Sequence, residues 1–220
     1  KLPHPPLTFL WTVQEEVGLQ GARFLNVASL GKPALAFNWD GGSAGKVIIG
    51  ATGGYRMEIE IRGRASHAGV APHKGISAIA IASLAIADLC RGGWHGLIDK
   101  PEGQGTSNFG VLRGGQATNV VADSASILAE ARSHDPGFRQ RIVERIESAF
   151  RAASSEIKSD DGGVGAVEFR GRLDYESFRL ADDERCVRVA KQVVGSLGVE
   201  PLPAIASGGL DANWLTAHGI

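Results

Sequence analysis

The sequence predicts an α/β domain interrupted by an inserted α+β domain of ferredoxin-like order. Three observations carry this. Residues 6–14 form an uncharged, largely apolar run bounded by Pro and Gly, the pattern of a strand covered on both faces. Residues 54–63 instead alternate, with Met57, Ile59 and Ile61 set against Glu58, Glu60 and Arg62, as a strand with one wet face does. Beyond residue 174 helical spacing and a short buried run return. The change of sheet type assigns residues 1–52 and 172–220 to the outer domain and residues 53–171 to the insert.

In the outer domain the first run ends at Glu15 and Glu16, with Gly18 close behind and a helix-like stretch over residues 19–30. Open α/β sheets present ligand-handling residues just beyond their strand ends. Two adjacent carboxylates there repel, so one pKa must rise unless a divalent cation keeps both ionised. An exposed acidic pair is the plain alternative. Residues 35–42 repeat the pattern, a short apolar run into Asp40-Gly-Gly42, which also reads as an ordinary Asp-Gly turn.

The insert opens with the alternating strand and continues into Arg64-Ala-Ser-His-Ala-Gly-Val-Ala-Pro-His-Lys-Gly75, with His67 among small residues. A helix follows over residues 76–89, striped by Ile79, Ala82, Ile86 and Leu89 and stopped by Gly92 and Gly93. Strands are predicted over 107–113 and 124–132, then an amphipathic helix through Phe138, Ile142, Ile146 and Phe150, then a closing strand over 164–170. Strand, helix, strand, strand, helix, strand is the ferredoxin-like order. Asn119 lies in the glycine-rich loop between the middle strands, and Arg132 ends the second of them. An Arg fork takes a carboxylate bidentately and an Asn amide can donate beside it; a turn-forming Asn and a solvated Arg are the alternatives.

Back in the outer domain, Asp182 and Asp183 place negative charge at the start of a helix striped by Val187, Ala190 and Val194 and stopped by Gly198. Residues 203–206 read as a short strand, and Asp211 as the N-cap of a helix over 212–217.

Thr12-Val-Gln-Glu-Glu-Val-Gly-Leu-Gln-Gly-Ala22, Phe37-Asn-Trp-Asp-Gly41, Ser66-His-Ala-Gly69, the 114–123 loop with Glu130-Ala-Arg132, and Ser207-Gly-Gly-Leu-Asp-Ala-Asn213 stand in this order. Together they resemble the M20 family of zinc peptidases and amidohydrolases, in particular its peptidase T-like aminopeptidase branch. The resemblance implies an α/β catalytic domain with an inserted ferredoxin-like lid and dimerisation domain. It implies that Glu15 is the general base and that Glu16 and Asp40 are zinc ligands. By it, His67 reaches into the partner's site to stabilise an oxyanion, Asn119 and Arg132 hold substrate, and Asp211 stands beside the metal pair. Two zinc ions per complete site are implied, with cobalt or manganese as substitutes. The family's His-x-Asp, bridging Asp and final His have no counterpart in residues 1–220, so the catalytic domain is expected to be incomplete, the chain a fragment, and the fragment alone inactive.

The function so implied is zinc-dependent hydrolysis of a peptide or N-acyl amino acid by a homodimer, as an aminopeptidase or tripeptidase. A deacylase or carboxypeptidase of the same family, and a catalytically dead binding module, are the alternatives. A two-carboxylate glycosidase is disfavoured, since neighbours in sequence rarely flank a bond from opposite sides. His4, His73, His95 and His134 stand in contexts typical of surface loops, and His218 reads as a helix C-terminal residue facing the dipole. Cys90 and Cys186 fall on helices of different domains, as buried free thiols. Twenty-three basic against 24 acidic residues leave a net charge of −1, which gives nucleic acid no basic patch to bind. The apolar runs are too short for a bilayer, and a cytoplasmic location is expected.

Overall fold

The computed structural model describes residues 3–220. The chain divides into two units, one of Lys1–Gly53 with Tyr175–Ile220 and one of Gly54–Asp174. In chain order the elements are α1 (Gln20–Arg23), β1 (Lys46–Ala51), β2 (Gly53–Arg62), α2 (Ala78–Arg91), β3 (Gly96–Lys100), β4 (Gly103–Gly114), β5 (Ser124–Ser133), α3 (Pro136–Glu156), β6 (Ala166–Tyr175), β7 (Phe178–Arg179), α4 (Arg185–Ser196), β8 (Leu202–Ala206) and α5 (Asp211–Ala217).

The second unit is built on a five-stranded sheet of order β3-β4-β5-β2-β6. Without β3, the order β4-β5-β2-β6 is that of the ferredoxin-like fold. Met57, Ile59 and Ile61 are buried, so the alternation read in β2 is the alternation of its two faces. They join Ile81, Leu89, Ile127, Phe138, Ile142, Ile146 and Phe150 in one core between the sheet and the helices. Both helices start on a matched cap. Ser77 Oγ accepts from Ala80 N at 3.1 Å, and Asp135 Oδ1 accepts from Gly137 N and Phe138 N at 2.7 and 3.1 Å. Pro136 sits where its missing N–H has no cost. The sequence reading did not anticipate β3. Only Ile98 of its five residues is buried, while Leu97 stays 81% exposed, so no periodicity announces it. Its existence comes from antiparallel pairing with β4 across a tight turn.

In the first unit β1 runs parallel to β8 and antiparallel to β7, which gives the order β7-β1-β8. The structure corrects the reading of residues 6–14, which form no strand. Leu7, Phe9, Trp11 and Val13 are exposed, with Phe9 and Trp11 stacked at 5.8 Å. A strand needs a neighbour for its ladder, and residues 6–14 pair with neither edge of the β7-β1-β8 sheet. Residues 35–40 likewise remain irregular, with Phe37 and Trp39 exposed. The helix expected over 19–30 is reduced to α1 and a 3-10 turn at Val27–Leu30. Cys90 is exposed on α2 rather than buried, and Cys186 is half-buried on α4; both are free thiols.

Candidate functional site

Residues 13–21 fold into a tight turn around Glu15 and Glu16. Gly18 N and Leu19 N donate to Glu15 O at 3.2 and 2.9 Å, Gln20 N to Gln14 O at 3.2 Å, and Gly21 N to Val13 O at 2.9 Å. Gln14 and Leu19 take left-handed backbone, φ 56° and 57°, on either side of the acidic pair. Non-glycine residues there cost of order 1–3 kcal/mol each, so the surroundings must impose the shape. Gly21 makes the closure possible, because a Cβ there would stand 2.6 Å from both the N and the O of Val13.

Glu15 is half-buried and Glu16 exposed. Burial, then the negative charges of Glu16, Asp40 and Asp211, raise the Glu15 pKa above the ordinary carboxylate value. Acids from three separate segments thus act electrostatically on Glu15. Asp40 is exposed at its turn and accepts from Gly41 N at 2.7 Å. Asp211 is 9% exposed; its Oδ2 accepts from the Thr12 hydroxyl, while Oδ1 is buried without a hydrogen-bond partner.

Asp211 is the first residue of α5 rather than its cap. The capping falls to Asn213, which the sequence reading passed over. Its Oδ1 accepts from Leu210 N at 2.9 Å, and its Nδ2 donates to Thr52 O at 3.0 Å and Glu176 O at 2.7 Å. The signal was an amide-bearing residue three positions after the cap. Asn213 thereby ties the loop after β8 to the two crossing segments of its own unit.

Carboxylate oxygens suit a divalent cation, and the uncompensated charge that raises the Glu15 pKa is what such a cation would neutralise. Among the described residues, however, no three His, Cys, Asp or Glu side chains are grouped so as to hold a metal ion. Glu16 and Asp40 carry oxygen donors, and a catalytic zinc takes three protein ligands.

In the second unit His67 is exposed on a segment paired with the 115–123 loop through the His67↔Val120 bridge. Ala68 N donates to Asn119 O, and Val121 N to Ser66 O, each at 2.9 Å. The Asn119 backbone therefore lies against the residue that follows His67. His67 Nδ1 accepts from Gly69 N at 3.2 Å, so in the neutral ring the proton sits on Nε2, which makes Nε2 a donor. The base of this segment is tied by Arg64 Nη1 to Asp161 Oδ2 at 2.8 Å and by Asp160 N to His73 O at 2.9 Å. Neither contact was foreseen, because the residues lie about a hundred positions apart.

Arg132 stands elsewhere. It ends β5, whereas the His67 and Asn119 loops meet at that strand's beginning, roughly 25 Å away at about 3.3 Å per residue. Its fork is engaged by Glu130, with Nε to Oε1 at 3.0 Å and Nη2 to Oε2 at 2.9 Å.

Two other histidines differ from their sequence reading. His95 is half-buried and stacks on Phe109 at 5.4 Å instead of lying on a surface loop. His218 faces not its own helix dipole but the carbonyls of Ala22 and Arg23.

Residues 49–158 match the family model of the M20 peptidase dimerisation domain. The chain belongs to the M20 peptidase family. Among proteins similar to this M20 chain, an uncharacterized protein of Bacillus subtilis (strain 168), YqjE, is 36% identical over 223 residues, covering 100% of the chain and 56% of that protein. A tripeptidase from Staphylococcus aureus superposes with a TM-score of 0.84 at 33% identity, over 95% of this chain and 52% of its own. Aminopeptidase PepT from Bacillus cereus superposes at 0.80 and 36% identity, with the same coverage of 95% and 52%. The M20 chain spans about half the length of the curated relatives it matches, 56% and 49% for the first two. The architecture is accordingly that of an incomplete α/β domain carrying the M20 dimerisation domain. No described helix is long and apolar enough to cross a membrane.

Proposed function

We propose that this chain is part of a dinuclear metal-dependent exopeptidase that removes residues from short peptides, as an aminopeptidase or tripeptidase. The observation that carries the reading is the convergence of Glu16, Asp40 and Asp211 on a half-buried Glu15 in a chain of the M20 family. The solved relatives, a tripeptidase and an aminopeptidase, support the substrate class. The catalytic part comes from residues 1–52 and 172–220, and the lid from residues 53–171.

Glu16 and Asp40 would contribute to holding two zinc ions, or cobalt or manganese in their place. When bound, such ions supply a polarised carbonyl and a water that ionises near neutrality. The rest of the ligands would come from a longer protein of the relatives' length. Glu15 takes the proton of the attacking water and returns it to the leaving nitrogen. Partial burial, the first cause that raises its pKa, strengthens it as an acceptor. His67, with its proton on Nε2, donates to the carbonyl oxygen as charge develops there, in the site of a partner subunit. Asn119, on the loop paired with the His67 segment, orients the substrate backbone. Arg132 can take a substrate carboxylate only in exchange for Glu130, which now fills its fork. Asp211 fixes the segment leading to Glu15 through Thr12. Pairing of copies through the dimerisation domain, and action in the cytoplasm, complete the proposal.

The test is Glu15→Gln in the parent-length enzyme, assayed on tripeptides with zinc. A kcat lower by about 10²–10⁴ with KM little changed is expected for a lost general base. Parental kcat in the variant would remove Glu15 from the mechanism and the reading with it.

A further inference from the structure

The turn that carries Glu15 and Glu16 is bracketed by Gln14 and Leu19, both left-handed and neither a glycine. Local preference does not hold such a turn; contacts must. Two come from α5. Ahead of the turn, Asp211 Oδ2 accepts from the Thr12 hydroxyl. Behind it, His218 Nε2 lies 3.1 Å from Ala22 O and 3.2 Å from Arg23 O. Carbonyl oxygens only accept, so Nε2 carries the proton and shares it between the two.

Those carbonyls lie at the C-terminal end of α1, where Ala22 O also accepts from Leu25 N at 3.4 Å. From α1 the path to the acids is short. Arg23 N donates to Leu19 O at 2.8 Å, and Leu19 N donates to Glu15 O at 2.9 Å. The latch is also packed: Trp214 lies 5.9 Å from the His218 ring, and the Arg23 guanidinium lies 5.4 Å over Trp214.

We propose that His218 is a positioning residue, a latch that holds α1 and through it sets the backbone of Glu15 and Glu16. The latch rests on the hydrolase reading for its purpose and on geometry alone for its existence. One helix then pins the acidic turn at both ends, with Asp211 before it and His218 after it. Glutamine keeps an N–H donor at comparable reach, whereas alanine removes it.

The experiment is residue-resolved amide exchange on the full chain, comparing the parent with His218→Ala and His218→Gln. In the alanine variant the amides of Gly18, Leu19 and Gly21 should exchange about tenfold faster, the effect of about 1.4 kcal/mol of lost local stability. The glutamine variant should restore most of the protection. Amides of β1 and β8 should exchange at parental rates in all three. Unchanged exchange at Gly18, Leu19 and Gly21, or equal acceleration across β1 and β8, overturns the proposal. Should the alanine variant not fold, His218→Asn replaces it. Its shorter amide cannot reach both carbonyls, and exchange matching that of the glutamine variant overturns the latch. Glu15→Gln separates this idea from the hydrolase reading. It leaves the latch intact, so exchange at Gly21 stays parental in this chain while hydrolysis falls in the parent-length enzyme; retained hydrolysis there counts against the hydrolase reading alone.

Discussion

Two glycines of the first unit show how a single position reports its surroundings. Gly21 lies against backbone, with Val13 N and O each 2.6 Å from where its Cβ would be, and neither atom can move without opening the acidic turn. Gly195 lies inside α4 with nothing within 4 Å of its Cβ position. Gly21→Ala should therefore destabilise the first unit by about 1–3 kcal/mol through overpacking. Gly195→Ala should stabilise it by about 0.5–1 kcal/mol, since alanine loses less chain entropy in a helix. Urea midpoints of the two variants against the parent check both signs. Shifts in the same direction would mean that the turn yields more readily than its geometry implies.

Between elements, a few long-range ties decide where the His67 segment sits. Asp161 accepts from Arg64 at 2.8 Å, from the Ser159 hydroxyl at 2.5 Å and from Gly163 N at 3.1 Å. The Arg64 bond first, then Ser159 and Gly163, hold its carboxyl well below the usual carboxylate range. A carboxylate depressed on folding stabilises the fold at every pH above its unfolded pKa of about 3.9. That contribution is lost as pH falls through the lower folded value. The stability difference between the parent and Asp161→Asn should accordingly be constant from about pH 8 to about pH 5 and shrink below about pH 4. Denaturant midpoints across that range measure it, and a difference independent of pH would show that the carboxylate charge contributes nothing. Because Arg64 and Asp161 are both exposed, added salt should weaken the effect.

At the scale of the molecule the two units are unequal. The continuous core from Met57 to Ala153 belongs wholly to the second, where α2 and α3 cover one face of the five-stranded sheet. The first unit buries Leu19, Ala22, Ile49, Ala51, Val187 and Leu210 but leaves Phe9, Trp11, Phe24, Phe37 and Trp39 in solvent. Local opening follows the density of buried apolar contacts, so amides of β1 and β8 should exchange through openings of lower free energy than amides of β2 and β5. Native-state exchange with a denaturant series tests this. A single common opening energy would mean that the units unfold as one.

Where burial follows from local periodicity, residues alone were sufficient. The alternation of Met57, Ile59 and Ile61 and the stripes of α2 and α3 gave the second unit its ferredoxin-like order, because each side chain's partner face is set by a period of two or of 3.6. The ordered motifs likewise pointed to the M20 family that the comparisons show. Pairing and approach were decided only in three dimensions. Residues 6–14 have the composition of a buried strand yet join no ladder, and β3 has little apolar signal but a strand to pair with. The grouping of Glu15 with Asp40 and Asp211, the engagement of Arg132 by Glu130, and the reach of His218 to α1 join residues through contacts that no sequence period encodes. Periodicity is a property of the chain, whereas a strand's neighbour and a carboxylate's field belong to the folded arrangement.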